Sequence, residues 1–375
     1  MTERVLVTGG AGFIGSHLVD ALIERGHDVV VLDSLVAQVH GSDAARPDHL
    51  HPAAELVQAD VRDRDALSAQ LARCSVVFHE AASVGVGQSM YDVVDYVTVN
   101  VVGTATLCEL LARGEHAVRK VLVASSMSNY GEGAYDCEVD GRRNLRPRPL
   151  AQLQAKDWEL RCDLCGRSVE PAPTDEEKPM RPTSVYATTK RDQEELVLNV
   201  CGAYDIPAVA LRYFNIYGTR QSLSNPYTGV AAIFSSRMLN GEAPLVFEDG
   251  LQSRDFTHVS DVVQANLLAM ERPDADGQVL NVGTGVQTTM LDLIRLLGEG
   301  LGVDTLKPEI LGRFREGDIR HCYSDITRIS SLLGFRPSVK LESGVGELAA
   351  WAREQRAVDR AETAMSELEA RGLVR

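Results

Sequence analysis

Thr8-Gly9-Gly10-Ala11-Gly12-Phe13-Ile14-Gly15 is the stretch that decides how this chain folds. The β-branched run Val5–Thr8 leads into it, and a pattern of helical period over Phe13–Arg25 leads out of it. Small residues at a strand-to-helix turn let the backbone approach a diphosphate. The helix start adds unpaired N–H groups and the positive end of its dipole. Gly9, Gly12, Phe13, Ile14 and Gly15 are therefore the expected pyrophosphate contacts. Asp33 closes the next strand-like run, Val29–Leu32. A carboxylate there accepts hydrogen bonds from both hydroxyls of a ribose and repels a 2′-phosphate, so NAD is expected rather than NADP.

Outward from this turn, the strand-like runs Leu56–Ala59, Val76–His79 and Val121–Ala124 alternate with helical patterns at Asp63–Arg73 and Val93–Arg113. Such alternation implies parallel strands joined by right-handed crossovers, a doubly wound α/β (Rossmann) sheet. A helix from Ser184 to about Ala203 and a strand Ala208–Tyr213 continue the pattern. Short strands, Leu245–Phe247 and Gln278–Val282, then fall between helices. The expected division is an NAD-binding domain over 1–212 with an insertion at 132–180, a smaller, mainly substrate-binding lobe over 213–350, and a helical tail over 351–375. The cleft between the lobes is the expected ligand site.

The chain has 375 residues, 44% of them hydrophobic, and a formal net charge of −15. That charge argues against a nucleic-acid partner. It says nothing against a small diphosphate held by a few arginines. No apolar run approaches the roughly 20 residues of a membrane span, and strand-like Arg4–Thr8 leaves no room for a cleavable leader. Cys74, Cys108, Cys201 and Cys322 stand singly and read as buried small hydrophobes of a reducing compartment. A cytoplasmic location without membrane partners is expected.

Tyr186-Ala-Thr-Thr-Lys190 opens a helical pattern, and its four-residue spacing puts both side chains on one face. A nearby ammonium stabilises a phenolate and lowers the phenol from its ordinary value of about 10, so Tyr186 would serve as a general base. Ser125-Ser126 ends the fifth strand-like run. Together with the glycine turn, Ser126, Tyr186 and Lys190 resemble the extended short-chain dehydrogenase/reductase family of NAD-dependent sugar-nucleotide epimerases and dehydratases. Further similar stretches are Asp60-Val61, His79-Glu80-Ala81-Ala82, Asn100-Val-Val-Gly103-Thr104, Leu211-Arg-Tyr-Phe-Asn215, Ser253-Arg-Asp-Phe-Thr-His258, Asn281-Val-Gly-Thr-Gly285 and Glu316-Gly-Asp318.

The resemblance implies roles. Ser126, Tyr186 and Lys190 would be catalytic, with Lys190 also on the cofactor. Asp60 and Val61 would contact the adenine, and Ala81, Ala82 and Asn100 would line the cofactor. Asn215 and Arg254 would bind the substrate diphosphate, Phe247 would pack on the nucleobase and Asp318 would hold its ribose. Val84, Ser128 and Arg315 complete the implied substrate set. An ion pair with Asp255 competes for Arg254, and a strand-core position competes for Phe247. His258 and Asp261 read as structural, helix-capping residues.

Relatives that eliminate water or carbon dioxide carry carboxylates just after the catalytic hydroxyl residue, because elimination needs an extra acid and base. Here the run is Ser126-Met127-Ser128-Asn129-Tyr130-Gly131, without one. Epimerisation at C4, by transient oxidation to a 4-keto sugar, is the implied reaction. The regenerated cofactor would stay tightly bound. Glu80–Tyr91, Ser125–Gly131 and Leu223–Gly229 are similar to the corresponding stretches of dTDP-L-rhamnose 4-epimerases. UDP-galactose-type epimerases are also similar but usually have a lysine where Val84 stands. Redox-sensing NAD-binding modules share the glycine turn but typically lack the Tyr/Lys pair. Relatives commonly dimerise through two long helices, here Val93–Arg113 and Ser184–Ala203, so a homodimer is expected.

The insertion holds Cys137 and then Cys162-Asp-Leu-Cys165-Gly166, a sequence with the shape of a zinc knuckle. Cys137 would be a third ligand. Asp140, spaced from Cys137 as Cys165 is from Cys162, would be the fourth. A structural zinc suits a polar segment with few apolar residues; free thiols or a Cys162–Cys165 redox pair are the other readings. Lying between Ser126 and Tyr186 in sequence, the segment is expected over the sugar end of the cleft.

Overall fold

The structure, a computed structural model, describes residues 2–41, 46–355 and 357–375. Its centre is a seven-stranded sheet built from β1 (Arg4–Thr8), β2 (Asp28–Asp33), β3 (Glu55–Gln58), β4 (Val76–His79), β5 (Lys120–Ser126), β6 (Ala208–Tyr213) and β7 (Val279–Val282). The strand order is β7-β6-β5-β4-β1-β2-β3 and every pairing is parallel. Strands rich in Val and Leu suit this position because both faces are covered. Val5, Val7, Val31, Phe78 and Leu122 pack on one side with helices Phe13–Glu24 and Val259–Glu271. Leu6, Val30, Val77 and Val121 pack on the other with Arg64–Leu71, Gly103–Ala112 and Val185–Ala203. The order reverses between β1 and β4, which opens a crevice at the carboxyl ends of the strands.

The expected division at residue 212 is crossed. β7 and the helix Val259–Glu271 come from beyond it and belong to the main sheet and its covering layer. The second lobe has its own core, including Phe234, Met238, Leu293, Leu297, Val345 and Leu348. Trp351 sits inside a helix of that lobe, Leu341–Arg353, and a separate helix, Ala361–Ala370, follows.

Val93–Ala112 forms twenty residues of helix, with a π-helical stretch over Val97–Val102. By length and composition alone it is apolar enough to cross a membrane, although Asp95, Asn100 and Glu109 interrupt its apolar run. Tyr96, Asn100, Leu107 and Leu111 face inward, while Val94 is 75% exposed and Val102 46%.

The insertion forms a small antiparallel sheet from Ala134–Cys137, Gly141–Arg143 and Glu170–Ala172. It does not cover the sugar end of the cleft, since none of residues 132–180 lines it. Its side chains reach instead behind the wall, where Arg148 pairs with Glu248 and Glu159 with Arg320.

Candidate active site

A cleft of about 790 Å³ runs along the carboxyl ends of the strands. At its floor Gly9 has φ +69°, and a Cβ there would meet the Ala81 nitrogen at 2.8 Å. At Gly15 a Cβ would run into the Gly9 carbonyl oxygen. The helix Phe13–Glu24 starts at Gly12 with no side-chain cap, so its first N–H groups are left for a ligand anion. Asp33 accepts from the Ala11 N–H at 3.0 Å and the Leu35 N–H at 2.9 Å, which fixes its carboxylate on the cleft edge. This side-chain-free cradle beside a held carboxylate fits NAD.

Val61, Ala81 and Ala82 line the same cleft. Asp60 and Asn100 stand beside it, each held by protein partners. Asp60 is clamped by Arg62, through Nε at 2.8 Å and Nη2 at 2.7 Å, and it is Arg62 that lines the cavity. Asn100 is fully buried. Its Oδ1 accepts from the Ser83 N–H at 2.7 Å, and its Nδ2 donates to the Ser83 carbonyl at 3.0 Å and to Thr189 Oγ1 at 2.9 Å. Its amide therefore shapes the Ser83 loop.

The two serines ending β5 point opposite ways, as strand geometry requires. Ser125 donates to the buried Glu194 at 2.5 Å. Ser126 faces the cleft beside Tyr186 and accepts from the Ser128 N–H at 3.1 Å and Ser128 Oγ at 2.8 Å. Tyr186 and Lys190 occupy the first turns of the helix Val185–Ala203, which is capped by Ser184 Oγ accepting from the Ala187 N–H at 3.1 Å.

Burial holds the Tyr186 phenol above its ordinary value, and the nearby Ser126 hydroxyl pulls it back. Lys190 is drawn elsewhere, donating to Gln193 Oε1 at 2.8 Å. Burial brings its ammonium down to about 8, against the attraction of Glu80 and Glu194. Glu80 is pushed up to about 7 by burial, opposed by the hydroxyl of Tyr213, which donates to it at 2.8 Å, and by Lys190.

Glu80 and Gln193 were thus missed as site residues. Gln193 was within reach of sequence reasoning, because it lies three positions after Lys190 on the same helical face.

Val84, Ser128, Asn215, Phe247, Arg254, Arg315 and Asp318 line the same cleft. Arg254 donates to the carbonyls of Ser253 at 2.8 Å, Arg320 at 3.0 Å and Ile319 at 2.7 Å. Asp255 does not pair with it, and binds Thr284, Gly285 and Ser324 instead. Among the described residues no carboxylate forms an ion pair with Arg254, so neutral dipoles aim an uncompensated cation into the cleft. Arg315 pairs with Asp318 at 2.7 Å and stands 5.6 Å from the centre of the Phe247 ring. Phe247 lies just past the strand Leu245–Val246 and lines the cleft, not the core. Asn215 Oδ1 is buried without a partner. His258 caps the helix Val259–Glu271 by accepting from the Ser260 N–H at 3.3 Å, and Asp261 holds the Ser338 and Val339 N–H groups at 2.8 and 3.2 Å.

Residues 5–151 and 163–283 match the NAD dependent epimerase/dehydratase family. The chain belongs to that family. It is 38% identical over 357 residues to the dTDP-L-rhamnose 4-epimerase of Burkholderia thailandensis, an alignment covering 94% of this chain and 96% of that protein. Among solved structures it is similar to the UDP-glucose 4-epimerase of Thermotoga maritima with UDP-glucose (33% identity, TM-score 0.76, 94% of this chain and 99% of that one). It is also similar to the UDP-glucuronic acid 4-epimerase of Bacillus cereus in complex with UDP-glucuronic acid and NAD (27%, TM-score 0.75, 94% and 99%). The unmatched residues between 151 and 163 lie inside the insertion.

Proposed function

We propose that this chain is an NAD-dependent 4-epimerase of nucleoside-diphosphate sugars, with a dTDP-6-deoxyhexose such as dTDP-L-rhamnose as substrate. The observation that carries the reading is that Ser126, Tyr186 and Lys190 line one cleft with the glycine cradle, and that Met127 and Ser128 flank Ser126 there. Neither flanking side chain can serve as the extra acid or base of an elimination.

The cradle, Asp33, Ala81, Ala82 and Lys190 would hold NAD, which supplies an acceptor that takes and returns the C4 hydride. Tyr186 removes the C4 hydroxyl proton as C4 is oxidised and gives it back on reduction. Ser126 donates to the same oxygen. Arg254, Arg315 and Asn215 grip the diphosphate, and Phe247 receives the base. Between the two half-reactions the 4-keto sugar turns about its diphosphate linkage, presenting its other face. Tyr186 is half-buried, and its phenol makes an edge contact with Tyr96, whose hydroxyl donates to the Val84 carbonyl at 2.7 Å. Val84, Val86 and Met127 line the cleft and suit a C6 methyl group better than a hydroxymethyl.

The relative from Burkholderia supports the dTDP-L-rhamnose reading, and the UDP-sugar epimerases support a UDP-hexose as the second. A panel of dTDP- and UDP-sugars separates them: conversion confined to UDP-hexoses would reverse the assignment. The exposed Val94, Val97 and Val102 support pairing of two copies along the helix Val93–Ala112. Light scattering should give twice the 40.8 kDa chain mass, and a monomer at assay concentration would contradict that. The buried, unbridged cysteines Cys74, Cys108, Cys201 and Cys322 support a reducing, cytoplasmic setting.

A further inference from the structure

We infer that Cys137, Asp140, Cys162 and Cys165 form a zinc site that staples the insertion to the back of the nucleotide-binding wall. One ligand atom from each of the four lies within 4.8 Å of all the others. The Cys137 and Cys165 sulfurs are 3.5 Å apart, and Asp140 Oδ2 is 3.6 Å from Cys137 Sγ and 3.1 Å from Cys162 Sγ. A tetrahedral zinc with bonds of about 2.3 Å to sulfur and about 2.0 Å to oxygen puts ligand atoms roughly 3.5–3.8 Å apart. The Cys137–Cys165 spacing is far too long for a disulfide of about 2.05 Å.

The backbone repeats the same device twice. Cys137-Glu-Val-Asp140-Gly141 and Cys162-Asp-Leu-Cys165-Gly166 each end on a glycine of positive φ, +65° and +74°. Cys137 pairs with Gly141 in the first, while in the second the Gly166 N–H bonds the Cys162 carbonyl at 2.9 Å. Each turn therefore brings its first and fourth side chains to one point, and the two turns face each other. Without a cross-link the segment has little to hold it. Its buried cluster is Tyr135, Leu145, Leu160 and Val169 plus Cys137 and Cys162 themselves, and small cores of this kind need a staple.

What the staple holds is the underside of the nucleotide pocket. Tyr135, two residues before Cys137, donates to Glu132 at 3.0 Å, and Glu132 accepts from the Arg320 N–H at 2.9 Å. Glu159, three residues before Cys162, accepts from Arg320 Nε at 3.0 Å. Arg148, between the two turns, forms a bidentate pair with Glu248 at 2.8 and 2.9 Å. Arg320 and Glu248 are neighbours of the pocket: the Arg320 carbonyl orients Arg254, and Glu248 follows Phe247 in the chain. A fixed insertion therefore keeps the base and diphosphate contacts in place.

The test is elemental analysis of the full-length protein purified under reducing conditions, with a cobalt-substituted sample for spectroscopy. The expected result is about one zinc per chain, loss of it in Cys165→Ser, and thiolate-to-cobalt charge-transfer bands. Less than about half an equivalent in wild type, or full retention in Cys165→Ser, overturns the site. Chelator-stripped wild type should bind dTDP about tenfold more weakly while keeping its NAD, since small displacements of gripping groups are costly. Unchanged dTDP affinity after complete stripping overturns the link to the wall. Metal content is read without any substrate, so it stands apart from the proposed reaction.

Discussion

Lys190 donates from Nζ to Gln193 Oε1 at 2.8 Å, and Gln193 donates from Nε2 to Thr104 Oγ1 at 2.9 Å. Thr104 in turn holds His79 at 2.8 Å and the Asn100 carbonyl at 2.6 Å. Lys190 is thus tied to β4 and to the π-helical segment through one amide. Gln193 is a positioning residue, and Gln193→Leu should lower kcat by about tenfold to a hundredfold. KM for the sugar nucleotide and the retained NAD should not change. Steady-state kinetics and cofactor content check this, and an unaltered kcat would show that Lys190 needs no such tether.

Glu80 attracts the Lys190 ammonium electrostatically, and the proposed reaction makes the pH range of activity depend on that attraction. The carboxylate favours the charged form of Lys190, whose value lies at about 8. Glu80→Gln removes that attraction, so the ammonium loses its proton at lower pH. The alkaline limb of the kcat profile should move to lower pH by about one unit. A shift to higher pH, or none, contradicts the pairing.

Asp33 sits on the cleft edge with both oxygens held by backbone N–H groups. Asp33→Asn keeps an acceptor for Leu35 but removes the charge that repels a 2′-phosphate. The ratio of NAD to NADP affinity should fall by roughly tenfold or more, since juxtaposed like charges cost several kcal/mol. An unchanged ratio measured by calorimetry would remove Asp33 from cofactor selection.

Behind Ser126, Glu194 pairs with Arg212 at 2.6 Å, and both are almost fully buried. Glu194→Ala leaves the guanidinium without its carboxylate and should cost about 3–5 kcal/mol of stability. Denaturant unfolding checks this. A loss below about 1 kcal/mol would mean that water or Tyr130 compensates.

The features legible in the sequence were local ones. The glycine turn, Asp33 and the Tyr186–Lys190 spacing each depend on a few consecutive residues, and a strand or helix of known period converts that spacing into direction. What was not legible depended on partners far along the chain. Asn100 carries polar groups that a ligand or a neighbour can satisfy equally well, and only packing shows that Ser83 and Thr189 take them. Glu80 gains its altered acidity from burial in the folded chain, opposed by the hydroxyl of Tyr213 more than 130 positions away. The helix Val93–Ala112 was legible as a helix, but that its polar Asn100 and Thr104 are buried by tertiary contacts was not. The insertion was read correctly as a cysteine cluster but placed over the wrong face. Sequence adjacency to Ser126 and Tyr186 does not say on which side of the wall a loop returns.

The most direct measurement is to supply dTDP-L-rhamnose to purified protein with no added cofactor and follow C4 stereochemistry by NMR, with Tyr186→Phe alongside. The account predicts that wild type with its bound NAD equilibrates the two C4 epimers without net NADH release. It predicts that Tyr186→Phe keeps its NAD and turns over about 10²–10⁴ times more slowly. Net NADH release with each turnover, or a Tyr186→Phe variant as fast as wild type, would contradict it.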